Sequence, residues 1–227
     1  MNTNLWLITA KTNLHVGNEN ASNYGIIDKA VQRDVLTGLP CINSSSLKGA
    51  VNEYCAHNTE VDLLKVFGSD KTDKSKGSQK GSAIFFDAKL LYLPVQDEAN
   101  LFHYATSDAV IAQLKDRLSV FGLSVDEARL CEVLVPRHEV KKMSAAAFGE
   151  MCKDENLPVI ARNVLENGRS ANLWYEQVIP AETVFYAVIQ EKGEELSNAI
   201  DGKIIQIGAN ATIGYGYCRF TKIGLKR

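Results

Sequence analysis

No apolar run in this sequence of 227 residues approaches the roughly 20 residues that a membrane-crossing helix needs, which excludes a helical bilayer-spanning chain. Its N-terminal Leu5-Trp6-Leu7-Ile8 is too short for the apolar stretch of a secretory leader, and no basic segment precedes it. A cytoplasmic protein is expected. Paired cysteines are missing as well. Cys41, Cys55, Cys131, Cys152 and Cys218 are odd in number and scattered, without a C-x-x-C motif. They read as small buried hydrophobes in a reducing compartment rather than as a disulfide framework. His15, His57, His103 and His138 show neither H-x-x-x-H nor H-E-x-x-H spacing, so a zinc centre is not expected. Neither a G-x-x-x-x-G-K-[ST] loop nor a G-x-G-x-x-G fingerprint occurs, which disfavours nucleotide binding through those motifs. Charge of one sign is lacking too: 25 Lys+Arg against 27 Asp+Glu leave a formal −2. Such a chain has no global attraction for nucleic acid, so any RNA contact must come from local clusters.

What is present is enough apolar sequence for one substantial core. A 25.0 kDa chain with 45% apolar residues buries about 70% of its unfolded surface, and a single domain over 1–227 is expected. Residues 5–11 read as a first strand. From 13 to 43 the chain carries Gly17, Gly25, Gly38 and Pro40 as breakers, and loops this long are functional or disordered. Leu47, Val51, Tyr54 and Cys55 then fall on one helical face, preceded by Ser44-Ser45-Ser46, whose hydroxyls suit an N-cap. A short helix follows over 60–67. Residues 69–82 hold no apolar side chain, only four Lys and two Asp among small polar residues, and read as a surface connector. Residues 83–95 read as one long strand or a strand pair, 107–118 as a helix, 130–135 as a strand and 145–153 as a short helix. Asn167-Gly168, between 159–166 and 171–177, is a strong hairpin signal. The runs 173–179 and 183–190 read as neighbouring strands around Pro180, followed by a helix near 194–200 and strands at 203–207 and 215–223. Strands and helices interleave without βαβ regularity, which favours an α+β fold with an antiparallel sheet.

Two constellations stand out. The first runs Leu14-His15-Val16-Gly17, Gly25-Ile26-Ile27-Asp28, Arg33-Asp34, Thr37-Gly38-Leu39-Pro40 and Ser44-Ser45-Ser46-Leu47-Lys48-Gly49. An irregular loop here delivers a helix whose free N–H groups, dipole and Lys48 suit a phosphate, although an ordinary capped helix with a solvated lysine has the same pattern. The second is Gly208-Ala209-Asn210-Ala211-Thr212-Ile213-Gly214-Tyr215-Gly216, whose glycines allow close backbone approach to another chain or a phosphate. A turn at a strand edge explains it equally.

With Asn172-Leu173-Trp174-Tyr175-Glu176 and Pro180-Ala181-Glu182-Thr183-Val184-Phe185-Tyr186, these blocks resemble the repeat-associated (RAMP) superfamily of CRISPR effector proteins. Within it, the sequence is similar to the backbone subunit of the type III-B (Cmr) complex. The resemblance runs from the first strand to Phe220 and is densest at 14–50, 83–95 and 172–220; residues 96–157 are short and match poorly. It implies a ferredoxin-like (RRM-type) core with an antiparallel sheet, inserted loops at about 13–43, 69–82 and 96–157, and a protruding β-hairpin thumb at about 159–177. It further implies head-to-tail stacking of identical copies along a CRISPR RNA, an interface that does not close. Thumbs then wedge into the guide–target duplex, and target RNA is cut at regular intervals by a metal-dependent endoribonuclease activity in antiviral defence. The implied partners are CRISPR RNA, target RNA, further copies of the chain and the other subunits of the complex.

On this resemblance Asp28 is the catalytic residue and the ligand of a weakly held divalent metal, Mg²⁺ or Mn²⁺, completed by RNA phosphate. Read without it, Asp28 is a surface aspartate. The RNA-binding candidates are Arg33, Ser45, Ser46, Lys48, Arg162, Arg169, Gly208, Asn210, Gly214 and Gly216. Arg33 has a competing reading as the partner of Asp34 or another nearby carboxylate, and Arg162 and Arg169 as solvated hairpin charges. His15, between Leu14 and Val16, reads as structural rather than as a general base. Trp174 and Tyr175 resemble base platforms, yet their strand-like run places them in the core. Three rivals share the resemblance: a non-catalytic RNA-binding subunit of the same complex, a guide-processing nuclease, and the equivalent subunit of a type III-A complex.

Overall fold

In the computed structural model, which describes residues 1–17, 27–69, 79–136 and 138–226, strands and helices follow one another as an α and β mixture around one large sheet. The strands are β1 (Asn2–Ala10), β2 (Cys41–Ile42), β3 (Ile84–Phe85), β4 (Ala88–Asp97), β5 (Leu101–Ser107), β6 (Val140–Met143), β7 (Val159–Glu166), β8 (Arg169–Gln177), β9 (Val184–Glu191), β10 (Ile204–Gln206) and β11 (Tyr217–Ile223). The helices are α1 (Ser44–Asn58), α2 (Leu63–Phe67), α3 (Asp108–Ser119), α4 (Glu127–Cys131), α5 (Ala145–Met151) and α6 (Glu195–Ile200).

The sheet is ordered β10-β11-β1-β9-β4-β5-β6, with β2 added to β4 and β3 to β9. Its centre is set by composition. Leu5 to Ala10 of β1 and Val184 to Ile189 of β9 are buried without alternation, as strands covered on both faces are. The two pair antiparallel from Asn2↔Glu191 to Thr9↔Val184. Helix α1 turns Leu47, Val51 and Cys55 inward, one residue per turn. Helix α3 does the same with Val110, Ile111, Leu114 and Leu118 behind a Ser107 cap.

Several elements differ from the sequence reading, each for a local reason. The sheet is antiparallel except at β6, which runs parallel to β5, because the chain between them is long enough for a crossover through α3 and α4. Residues 130–135 are not a strand: Leu130 and Leu134 are buried at one-turn spacing, the first inside α4 and the second in the turn after it. The 83–95 run divides into β3 and β4. The strands expected to neighbour each other across Pro180 do not pair. The Asn-Gly turn closes β8 onto β7 instead, while β9 joins β1, β4 and β3. Cys131 is exposed, whereas the other four cysteines are buried as expected. The 69–82 connector and the loop residues Gly25 and Ile26 fall largely outside the described residues. Among the described residues, no helix is long and apolar enough to cross a membrane.

The β7–β8 hairpin forms a two-stranded sheet of its own. Asn167 (φ +50°) and Gly168 (φ +76°) give it two left-handed central residues, the requirement of a type I′ turn. Val164, Leu165 and Leu173 on its arms are exposed. Among the described residues the hairpin thus stands clear of the core and meets the body at its root.

Candidate functional site

That root is where polar side chains converge. Tyr175, Glu176 and Gln177, the last residues of β8, tie together segments far apart in sequence. The Asp28 and Lys29 N–H groups donate to the Tyr175 carbonyl at 3.0 and 3.2 Å, and the Gln177 N–H donates to the Lys29 carbonyl at 2.9 Å. The strap after the long loop is thereby laid along β8 in parallel, with Lys29 bridged to Glu176. The Tyr175 N–H donates to Oδ2 of Asp28 at 2.7 Å. This bond fixes an otherwise exposed carboxylate at the hairpin's root.

The next residue points inward. Glu176 is 1% exposed, and its carboxylate accepts from the Asn210 side-chain amide and lies 3.7 Å from Nδ1 of His15. His15 Nδ1 donates to the Gln177 carbonyl at 2.7 Å. The imidazole is 4% exposed and locks the segment after β1 to the hairpin root, in keeping with its structural reading. Gln177 then accepts from the Val31 N–H at 3.1 Å and donates to the Asp154 carboxylate at 3.1 Å. A buried carboxylate and a buried amide survive here because each polar atom named has a partner.

Arg33 is held by the same network. Its Nε and Nη2 donate to Asp154 at 3.0 and 2.6 Å, and Nη1 donates to the Gly38 and Cys152 carbonyls at 2.8 and 2.7 Å. The carboxylate that takes it is Asp154 rather than Asp34. Asp34 instead organises its own turn, accepting from the Thr37 N–H and hydroxyl and pairing with Lys89. Burial pushes the Asp34 carboxyl upward, but the Lys89 and Thr37 hydrogen bonds outweigh it and hold the group below the usual carboxylate range. Burial also pushes the neighbouring Cys152 thiol up to about 12, so it is no nucleophile.

The glycine block reaches the site from the other side. At Gly208 (φ +81°) a Cβ would lie 2.2 Å from the His15 carbonyl oxygen, and at Gly216 (φ +80°) 2.0 Å from that of Ile207. Only glycine lets this loop lie against the His15 segment, where the Ala209 N–H donates to the His15 carbonyl at 2.9 Å. Gly214 differs: it is left-handed as well, but faces open space. Asn210, also left-handed, sends its side chain to Glu176.

The start of α1 corrects one expectation. The helix begins at Ser44 behind Asn43, whose side chain makes no capping bond. The Ser44 N–H instead donates to the Asp87 carboxylate at 2.8 Å, so a protein anion already sits where a phosphate was expected. Burial raises Asp87, but the Ser44 N–H and Lys89 more than offset it, and its carboxyl lies below the ordinary range. Ser45 is exposed, and Ser46 accepts from the Gln32 side chain at 3.3 Å. Lys48 donates to the Phe67 carbonyl at 2.8 Å and joins α1 to the end of α2. These three lie on α1, tied to the strap by Gln32 but apart from Asp28. Arg169 lies at the far end of the hairpin, paired across the turn with Glu166.

Trp174 and Tyr175 do not enter the core, because β8 leaves the main sheet. Tyr175 is 36% exposed. Trp174 is half-buried, opposite Arg162 in the hairpin register, with the Arg162 guanidinium 5.9 Å and the Lys29 ammonium 5.3 Å from its ring centroid. The structure therefore gathers Asp28, Asn210, Gly208, Arg162 and Arg33 around one hairpin root. It also adds Lys29, Asp154, Glu176 and Gln177, which the sequence reading passed over. Glu176-Gln177, a polar pair wedged between Trp-Tyr and Val-Ile, was a legible sign of buried polar function; Asp154 and Lys29 carried no such sign.

A family model described as the RAMP superfamily matches residues 7–219. A curated relative from Pyrococcus furiosus, the CRISPR system Cmr endoribonuclease Cmr4, is 27% identical over 262 aligned positions, covering 87% of this chain and 88% of the relative. Among solved structures, a chain of the type III-B Cmr-beta complex bound to cognate target RNA superposes with a TM-score of 0.74 at 20% identity, covering 98% of this chain and 97% of that one. Oligomeric Cmr4 from Pyrococcus furiosus superposes with a TM-score of 0.73 at 21% identity, with 97% of each chain covered.

Proposed function

The chain belongs to the RAMP superfamily, and we propose that within it the protein is the RNA-binding backbone subunit of a type III-B CRISPR effector that cuts guide-paired RNA. The observation that carries this reading is the Asp28 carboxylate, exposed yet pinned by the Tyr175 N–H at the root of a projecting hairpin. A relative that is an endoribonuclease over nearly the same length, and similar chains that assemble on target RNA or with themselves, support it. The partners are CRISPR RNA, target RNA, further copies of the chain and the remaining subunits of the complex, in the cytoplasm.

The fold suits that role. Strands β11-β1-β9-β4, with α1 between β1 and β4 and α6 between β9 and β11, have the order and antiparallel sense of a ferredoxin-like unit. The hairpin β7–β8 is its thumb, and its exposed Val164, Leu165 and Leu173 suit a wedge that separates stacked bases or docks on the next copy. The loop of Gly208, Asn210, Gly214 and Gly216, with Ser45 exposed on α1, lines the guide's path, whereas Ser46 and Lys48 are engaged by Gln32 and the Phe67 carbonyl. Arg162 and Arg169 on the thumb meet the duplex, and Arg33 braces the site through Asp154.

For the chemistry, a nucleotide splayed at the thumb approaches the in-line geometry that a 2′-hydroxyl attack needs, and that positioning supplies much of the rate. The chain's own part is to hold Asp28 against this nucleotide through Tyr175, with Glu176, His15 and Gln177 keeping the root rigid. The resemblance implies a divalent cation, Mg²⁺ or Mn²⁺. Among the described residues no three His, Cys, Asp or Glu side chains form a group able to hold a metal ion. One carboxylate with an oxygen to spare still fits an ion that takes most of its ligands from phosphate and water, as Mg²⁺ usually does. When bound, such an ion supplies Lewis-acid charge at the phosphate.

The test is cleavage by the reconstituted particle. With Asp28→Asn, regularly spaced cuts in target RNA fall by about 100-fold or more while target binding is retained. Cutting that persists unchanged removes Asp28 from the chemistry. A wild-type particle that binds target and leaves it whole with Mg²⁺ or Mn²⁺ makes the chain a purely structural subunit.

A further inference from the structure

We propose that Lys29 is a second catalytic group of the cleavage site, contacting the non-bridging oxygens of the scissile phosphate while Trp174 holds its side chain in place. This inference rests on the nuclease reading above and extends it to a residue that neither motif nor spacing marked.

The chemistry favours a fixed cation of the chain's own in addition to the metal ion. Attack of a 2′-oxygen on phosphorus makes one P–O bond and breaks the bond to the 5′-oxygen. The 2′-hydroxyl gives its proton to water and the departing 5′-oxygen takes one from water, leaving a 2′,3′-cyclic phosphate and a 5′-hydroxyl. Between these events the phosphate carries more negative charge than in the ground state. Asp28 alone brings a further negative charge to that place and opposes its formation. A cation fixed beside it, aimed at where charge develops, reverses the sign of the local field.

Lys29 meets the geometric conditions. Its backbone is fixed twice on β8, through its N–H to the Tyr175 carbonyl and its carbonyl from the Gln177 N–H. Its ammonium lies 5.3 Å from the Trp174 ring centroid, a cation–π placement that restrains a long side chain without neutralising it. Among the described residues it forms no ion pair, either with Asp28 beside it or with Glu176 opposite, whose carboxylate is turned inward to Asn210. Arg162, on the same indole, leaves its Nη1 buried and without a partner among the described residues, and adds positive potential to the shelf. A cation held over an indole at the same hairpin root as Asp28, without an ion pair among the described residues, is free to meet a phosphodiester.

The experiment uses the assembled particle with guide RNA. Lys29→Met lowers the single-turnover rate of target cutting at saturating RNA by about tenfold or more, and Lys29→Arg restores most of it. Trp174→Ala, which frees the ammonium, gives an intermediate loss. Binding of a target made uncleavable by a 2′-deoxy substitution provides an independent readout. Its log–log salt dependence flattens by about 0.7 in Lys29→Met, one lost single-strand phosphate contact. A rate within twofold of wild type in Lys29→Met, or an unchanged salt slope, overturns the assignment. A particle whose wild type cuts and whose Asp28→Asn variant does not, but whose Lys29→Met variant is normal, refutes Lys29 and leaves the nuclease reading standing. A wild type that never cuts fails both.

Discussion

Strands β9 and β8 are nearly equal in length and adjacent in sequence, yet they live under different physics. All but Gln190 of β9 is buried, and its place between β1 and β4 follows from apolar area removed from water. Most of β8 is exposed until its last residues, and its place follows from a two-residue turn and a single partner strand. Two strands alone are marginal in water, so the hairpin depends on the polar ties at its root. The difference divides the molecule into a part that sets stability and a part free to meet RNA. A residue at the boundary, such as Glu176, serves both.

The contrast can be broken most directly at the centre of each part. Phe185→Ala in β9 costs about 3 to 5 kcal/mol in urea unfolding of the chain, whereas Leu165→Ala on the hairpin stays within about 0.5 kcal/mol. Comparable losses at both positions would mean that the hairpin is packed into the core. The glycine block sharpens the boundary. Gly208→Ala must push the loop off the His15 carbonyl and costs about 1 to 3 kcal/mol, with RNA binding weakened in parallel. Gly214→Ala, left-handed but unobstructed, costs about 1 kcal/mol, and an equal loss at the two sites would deny that Gly208 is a contact point.

The smallest effect concerns acid. Asp34 and Asp87 both have carboxyls held below their ordinary value by Lys89 and nearby donors. Their contribution is complete above the unfolded value of about 3.9 and fades as pH falls through the lower folded values. Asp34→Asn keeps the acceptor for Thr37 but loses the charge facing Lys89. It should cost about 1 kcal/mol near pH 7, a deficit that shrinks below pH 4. A deficit independent of pH from 7 to 3 would show that the charge contributes nothing.

Much of the architecture was legible. The Asn167-Gly168 pair specifies a hairpin because only residues tolerant of positive φ fit both central positions. The stripe of Leu47, Val51 and Cys55 specifies α1 because burial at each turn outweighs any other choice. The pairing of 173–179 with 183–190 misled, since two apolar strands near a proline look like neighbours whichever partner each takes. The serine cap misled for a related reason: Ser44, Ser45 and Ser46 are good caps, but Asp87 reached the same N–H from another strand. Asp28 was visible through its motif, whereas its support was not. Tyr175 lies 147 positions further on, and a backbone N–H leaves no mark in a sequence.

The sequence by itself determined which segments had to be buried and which turn had to close, because apolar periodicity and left-handed turn residues act over a few positions. Tertiary structure alone decided what stands beside Asp28. The Tyr175 N–H reaches its carboxylate, and the ammonium of Lys29 on Trp174 and the Glu176–His15–Asn210 cluster assemble at the same hairpin root, only after distant strands have found their register. Electrostatic and hydrogen-bonding groups act within a few ångströms in space, and no rule of sequence spacing brings such residues together.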